Sequence, residues 1–229
     1  MKNTQITTYF ESRDPKAHHL ELIRIIGNNF PDFNGDLLDI GCAAGDFLQL
    51  VAETFPQANI AGFDISEKLI DIAKAKQSLG KACLFAANLL NVSPAEKYDV
   101  ICASGVMSIY EDFEKPLTQW LTWLKPGGKL FIFGRFNSEN IDTIIKFRNN
   151  YHSDTWEDGL TAYSCNTITK FCEKRGLKNE FERFHLPFTI PKADDPIKTY
   201  TLMTETGEKI IVNGANIIAE QFHLTISKP

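Results

Sequence analysis

The run Leu37-Leu38-Asp39-Ile40-Gly41-Cys42-Ala43-Ala44-Gly45-Asp46-Phe47-Leu48 passes from apolar residues through small ones into a helical pattern carried on by Val51 and Phe55. Few folds accommodate that order. A strand, a tight small-residue turn and a helix form the usual start of a nucleotide-binding α/β unit. Gly41 and Gly45 lack a Cβ, so the backbone can turn sharply and a ligand can lie directly against it. Cys42, Ala43 and Ala44 are small enough not to block that approach. Asp46 stands at the helix start, where a carboxylate suits the positive end of the helix dipole.

The segments that follow repeat the rhythm. Asn59–Asp64 reads as a second strand, and Ser66 as the N-cap of a helix over Glu67–Gln77. Asp64 therefore sits at the carboxyl end of the second strand, about 20 residues past the glycine loop, where an acid can accept hydrogen bonds from both hydroxyls of a ribose. Lys81–Ala87 and Tyr98–Ser104 read as the third and fourth strands. A helix from about Phe113 to Leu124 turns Trp120, Leu121 and Leu124 inward. Lys125-Pro126-Gly127-Gly128 is a tight turn into a fifth strand, Lys129–Gly134. Ahead of them all, Pro15 opens a helix with Leu20, Leu22, Ile23, Ile26 and Phe30 on one face. Strands alternating with helices in this way predict a parallel sheet covered on both faces.

Beyond Arg135 the pattern changes. A helix is expected over Glu139–Asn149, then a polar, aromatic segment, Tyr151–Tyr163, and a helix over Asn166–Arg175 ended by Gly176. Leu177–Phe188 and Ile217–Ile226 read as strands, and Thr199–Thr204 with Lys209–Val212 as a β-hairpin turning at Glu205–Glu208. No repeat or linker interrupts the 229 residues, so one domain is expected: an N-terminal arm and helix (1–34), a ligand-binding core (35–135) and a closing region (136–229).

A hydrophobic fraction of 43% supports a sizeable core, and a net charge of −5 gives no basic field for nucleic acid. No run reaches membrane-spanning length, and the polar start has no apolar signal region. Cys165 and Cys172 are seven apart on a helix and too distant for a disulfide, CxxC is absent, and the histidines show no metal-ligand spacing. Reduced thiols, a cytoplasmic location and no metal are therefore expected, with the oligomeric state open.

Leu37–Gly45, Gly62–Ser66, Tyr98–Ser104 and Leu124–Phe133, in this order and spacing, together resemble the class I S-adenosylmethionine-dependent methyltransferases. The resemblance implies a Rossmann-like, doubly wound sheet of seven strands, mostly parallel with the last antiparallel. Here it would carry the inserted hairpin near the C-terminus. It implies S-adenosylmethionine as cofactor and S-adenosylhomocysteine as product. Asp39, Gly41 and Gly45 match the motif around the methionine part, with Cys42, Ala43, Asp46 and Phe47 completing the loop. Asp64 matches the ribose-binding acid and Ile65 the apolar residue beside adenine. Asn88 stands where many members have Asp, and its side-chain carbonyl can still accept the adenine amino group's hydrogen bond. Leu89 would pack on the ring, and Ala103 and Ser104 end the fourth strand where cofactor and acceptor meet. Tyr9 and Arg13 in the N-terminal arm are candidates to cap the cofactor carboxylate.

The loop reads GCAAG, and a dinucleotide fingerprint would want a third glycine near position 46, where Asp46 and Phe47 stand. A carboxylate at that helix start would also repel a pyrophosphate, whereas a sulfonium and an ammonium suit it. Tyr110, Glu111 and Asp112, just past the fourth strand, and His152 and Trp156 in the later segment are candidates for the acceptor side, with Tyr110, Glu111 and His152 the candidate bases. Phe131, Phe133, Phe171 and Phe181 read as core. The expectation is methyl transfer to O or N of a small molecule. The alternatives are an NAD-dependent oxidoreductase, which would share Asp64 and the sheet, and a non-catalytic cofactor-binding protein.

Overall fold

The structure is a computed structural model that describes residues 16–92, 94, 96–151 and 154–229. The chain divides into two compact units, one of residues up to Ser104 with Trp120–Phe131, the other of Gly105–Gln119 and Ile132–Pro229.

In the first unit, α1 (Ala17–Asn29), β1 (Asp36–Ile40), α2 (Asp46–Thr54), β2 (Asn59–Asp64), α3 (Glu67–Lys74), β3 (Cys83–Ala86) and β4 (Tyr98–Ser104) follow one another, with short 3-10 turns at Gln77–Leu79 and Leu89–Asn91. β1 lies between β2 and β4 and is parallel to both, with Asp39 opposite Gly62 on one side and Cys102 on the other. β3 extends the parallel set beside β2. Leu37, Leu38 and Ile40 are fully buried, as a parallel strand covered on both faces requires. Leu22, Ile26, Phe47, Leu48 and Val51 from α1 and α2 join Val100 and Cys102 of β4 in one apolar cluster. Each such aliphatic or aromatic side chain contributes about 1.5–3 kcal/mol by leaving water. Gly62 lets the loop and α2 settle on β2: a Cβ there would meet Leu48 Cδ1 at 2.7 Å and Cys42 Sγ at 3.1 Å. The face of α1 differs from expectation, because Leu20 is exposed while His19 is buried against Phe47.

β5 (Leu124–Asn137) runs from the first unit into the second, and α4 (Glu114–Thr122) from the second into the first. β5 starts five residues earlier than the tight turn at Lys125–Gly128 suggests, and Gly127 takes φ +76° within it. The physical reason lies at the strand starts. Lys125 Nζ binds the carboxylates of Asp36 and Asp99, and the Asp36 N–H donates to Asp99 Oδ2 at 2.8 Å. This clamp fixes the beginnings of β1, β4 and β5 in register.

In the second unit, β6 (Tyr163–Ser164) pairs in parallel with the end of β5, and α5 (Cys165–Glu173) follows with Ser164 as its N-cap. β7 (Lys178–Arg183) pairs antiparallel with β10 (Gln221–Ser227), and β8 (Tyr200–Met203) with β9 (Lys209–Val212) makes the expected hairpin. The strand order is β3-β2-β1-β4-β5-β10-β7, a mixed, mostly parallel sheet in which the last strand of the chain runs antiparallel to its β7 neighbour.

The expected helix over residues 139–149 does not form. Side chains take the local backbone groups instead: Asn137 Nδ2 donates to the Ile141 carbonyl, and its Oδ1 accepts the Glu139 N–H. Asp142 accepts from the Ser164 N–H at 2.6 Å and from the Thr167 hydroxyl at 2.8 Å. Thr143 and Phe147 then bridge to Ala162 and Glu157 as extended chain.

Candidate active site

The glycine loop joining β1 to α2 is wound through left-handed backbone at three positions: Gly41 (φ +72°), Ala43 (φ +49°) and Gly45 (φ +75°). Glycine adopts this without cost, whereas Ala43 bears strain of about 1–2 kcal/mol. At Gly45 even a methyl group would collide, meeting Leu79 Cδ1 at 2.8 Å and Ala73 Cβ at 3.0 Å. The loop's own N–H groups are largely committed. Those of Gly41 and Cys42 both donate to the Phe63 carbonyl, that of Gly45 to the Cys42 carbonyl, and that of Ala43 to Asp64 Oδ2 at 3.0 Å. Asp64 Oδ1 accepts the Ser66 N–H at 2.9 Å, so one carboxylate ties the loop after β1 to the turn after β2.

Asp39 is 3% exposed at the end of β1. Burial, and then the neighbouring Asp64 charge, hold its carboxyl well above the usual carboxylate range, and no hydrogen bond or cation from the described residues offsets them. The same two carboxylates add to burial in keeping Cys42 a thiol, as Asp39 does for Cys102. Ser104 Oγ, at the end of β4, is buried without a hydrogen-bond partner among the described residues. Asp64 thus presents acceptor capacity, and Asp39 a carboxyl that a bound cation would ionise, beside a loop that has spent most of its donors. This arrangement fits a ligand rich in hydroxyl and ammonium donors and opposes a pyrophosphate, which needs N–H groups.

Asp46 contributes less to that selectivity than the sequence suggested, because its carboxylate is paired with the Lys76 ammonium. Cys42 and Phe47 turn their side chains into the core, so only their backbone borders the loop. Ile65 is 73% exposed at the rim, Asn88 is exposed, Leu89 is half-buried in its 3-10 turn, and Ala103 is fully buried. Tyr9, Arg13 and His152 lie outside the described residues.

In the second unit, Tyr163 donates its hydroxyl to the carbonyls of Tyr110 (3.0 Å) and Glu111 (2.6 Å) and so fixes the segment after β4. Burial pushes the Tyr110 phenol up to about 12, leaving it protonated at neutral pH, a donor rather than a base. The Glu111 carboxylate forms an ion pair with Lys146 at 2.6 Å. Asp112 Oδ1 accepts the Glu114 N–H and caps α4. Trp156 is exposed, with the Arg148 guanidinium 5.4 Å above its ring. Sequence reasoning missed Tyr163 and Arg135; strand alternation along β5 was the signal for the second, since it places Arg135 on the face of Phe133.

Residues 38–130 match the family model described as a methyltransferase domain. The matched stretch, from the glycine loop into β5, is similar to methyltransferase domains and covers less than half of the chain. It is 28% identical over 172 residues to the malonyl-[acyl-carrier protein] O-methyltransferase of Priestia megaterium, covering 72% of this chain and 61% of that protein. It is 34% identical over 96 residues to the trans-aconitate 2-methyltransferase of an Azoarcus species, covering 42% of this chain and 37% of that protein. The chain thus spans less than two thirds of these relatives. Among solved structures, the plantazolicin methyltransferase BpumL, in complex with a pentazolic desmethylPZN analog and SAH, superposes with TM-score 0.63 at 14% identity. That match covers 98% of this chain and 90% of that one. A DhpI–SAM–HEP complex gives TM-score 0.65 at 12% identity, covering 98% and 92%. These likenesses establish the fold.

Proposed function

We propose that the protein transfers a methyl group from S-adenosylmethionine to an oxygen or nitrogen of a small-molecule acceptor. The observation that carries this reading is the pairing of a nearly donor-free glycine loop with two acidic side chains, Asp39 and Asp64. In this reading Asp64 accepts from the ribose hydroxyls and Asp39 offsets the amino group of the methionine part. Ile65 and Leu89 border the adenine, Asn88 accepts from its amino group, and the loop backbone fixes the methionine chain. When bound, the cofactor supplies an already activated methyl group. The chain's own task is then to hold the acceptor in line and exclude water. Tyr110, protonated, serves as a hydrogen-bond donor.

We assign cofactor binding to residues 35–135 and acceptor selection to residues 136–229 with the segment after β4. The relatives' names support an acid acceptor, since malonyl and trans-aconitate groups both carry carboxylates. The net charge of −5 favours a small acceptor over nucleic acid, and the five free cysteines support a cytoplasmic location. Among the described residues, no helix is long and apolar enough to cross a membrane. Calorimetric titration with S-adenosylmethionine, S-adenosylhomocysteine and NAD tests the proposal. Saturable binding of the first two with none of NAD is expected, and binding of NAD alone would transfer the site to an oxidoreductase.

A further inference from the structure

Arg135 lies near the carboxyl end of β5 in the second unit, on the strand face that carries Phe133 and opposite the face on which Phe136 packs against Phe181. The residue is half-buried, yet its Nη1 is fully buried and has no hydrogen-bond partner among the described residues. A guanidinium stays charged in a protein, and burying one of its amino groups unpaired is costly. Burial depresses its pKa. Such a cation is out of place in a finished interior and is compensated when an anion binds.

The adjoining chain reaches solvent just past the end of β4, at Gly105. Phe133, two residues earlier, accepts the Gly105 N–H at 2.8 Å, and a Cβ built on Gly105 would meet nothing within 4 Å. Gly105, paired to β5 two residues before Arg135, therefore borders open space. One isolated positive charge matches a singly charged, planar carboxylate, which a guanidinium fork binds through two parallel hydrogen bonds. A phosphate, with nearly two charges, would call for further cations.

We propose that Arg135 is the binding residue for a carboxylate of the acceptor. The proposal rests on the methyltransferase reading and makes the acceptor a carboxylic acid. Malonate and trans-aconitate serve as probes, with neutral malonamide as control, titrated into protein saturated with S-adenosylhomocysteine. Wild type should bind at least one of the two acids and not the amide. Arg135→Gln should bind that acid at least tenfold more weakly while keeping its S-adenosylhomocysteine affinity. Arg135→Met, without ligand, should melt no lower than wild type, because it removes an unpaired buried charge; a purely structural arginine would lower the melting temperature. Absence of acid binding by wild type, equal binding of acid and amide, or unchanged binding by Arg135→Gln each overturns the proposal. If the variants fail to fold, that loss of folding counts against an unpaired cation awaiting a ligand and overturns the proposal. Loss of S-adenosylhomocysteine binding by wild type would instead refute the methyltransferase reading on which it rests.

Discussion

Replacing Asp64 by alanine removes the single carboxylate that joins the two ligand loops. It accepts the Ala43 N–H at 3.0 Å and the Ser66 N–H at 2.9 Å. Hydrogen bonds to a charged group contribute about 1.5–3 kcal/mol each, toward the low end where the residue is half-exposed and water can replace the carboxylate. The Ala43 bond also offsets about 1–2 kcal/mol of left-handed strain. Against these stands the relief of Asp39, which no longer faces a second negative charge. The net expectation is a loss of about 2–4 kcal/mol in stability by urea denaturation. Cofactor binding should suffer separately: without the ribose acceptor, about 2–3 kcal/mol of affinity goes, or about 30- to 150-fold in Kd for S-adenosylhomocysteine by calorimetry. A folded Asp64→Ala protein whose Kd stays within about threefold of wild type would refute the assignment of Asp64 to the ribose.

Asp39 gives a pH signature. Its folded-state carboxyl is raised above the unfolded value, so its contribution to stability is full below the ordinary aspartate range and is lost as pH rises through the raised value. Asp39→Asn should therefore be more stable than wild type at neutral pH, with the difference closing in acid; denaturation curves from pH 4 to 8 that run parallel would contradict this. Gly45→Ala combines φ +75° with contacts of 2.8 and 3.0 Å to Leu79 and Ala73, and should cost about 2–4 kcal/mol by denaturation; an unchanged midpoint would show that the loop relaxes. Lys125→Met breaks the clamp on Asp36 and Asp99 at a site about one third exposed, so the loss should be only about 1 kcal/mol. Because Lys125 and Asn59 lower the Asp36 carboxyl, that loss should shrink as pH falls through the carboxylate range; an undiminished difference in acid would point to packing instead.

Much of the first unit was legible because its signals are local. Apolar runs, the small-residue loop and the acid at Asp64 each lie within a few residues of the backbone they shape, and β1, β2, β4 and the hairpin fall close to their expected positions. The missing helix over 139–149 was not legible, since Asp142 takes its partners from Ser164 and Thr167, more than 20 residues away. The role of Asp46 changed for the same reason, as Lys76 arrives from beyond α3.

The sequence by itself determined the order of strands and helices in the first unit, the glycines that permit the loop, and the residue types offered to a cofactor. The tertiary structure alone decided which of those groups are spent and which are left over. Phe63 and Asp64 consume most of the loop's N–H groups, Lys76 neutralises Asp46, and buried Asp39 and the buried Nη1 of Arg135 are left uncompensated by the described residues. Chain proximity fixes backbone conformation, whereas burial and long-range pairing fix the electrostatics, and the choice of ligand follows from the latter.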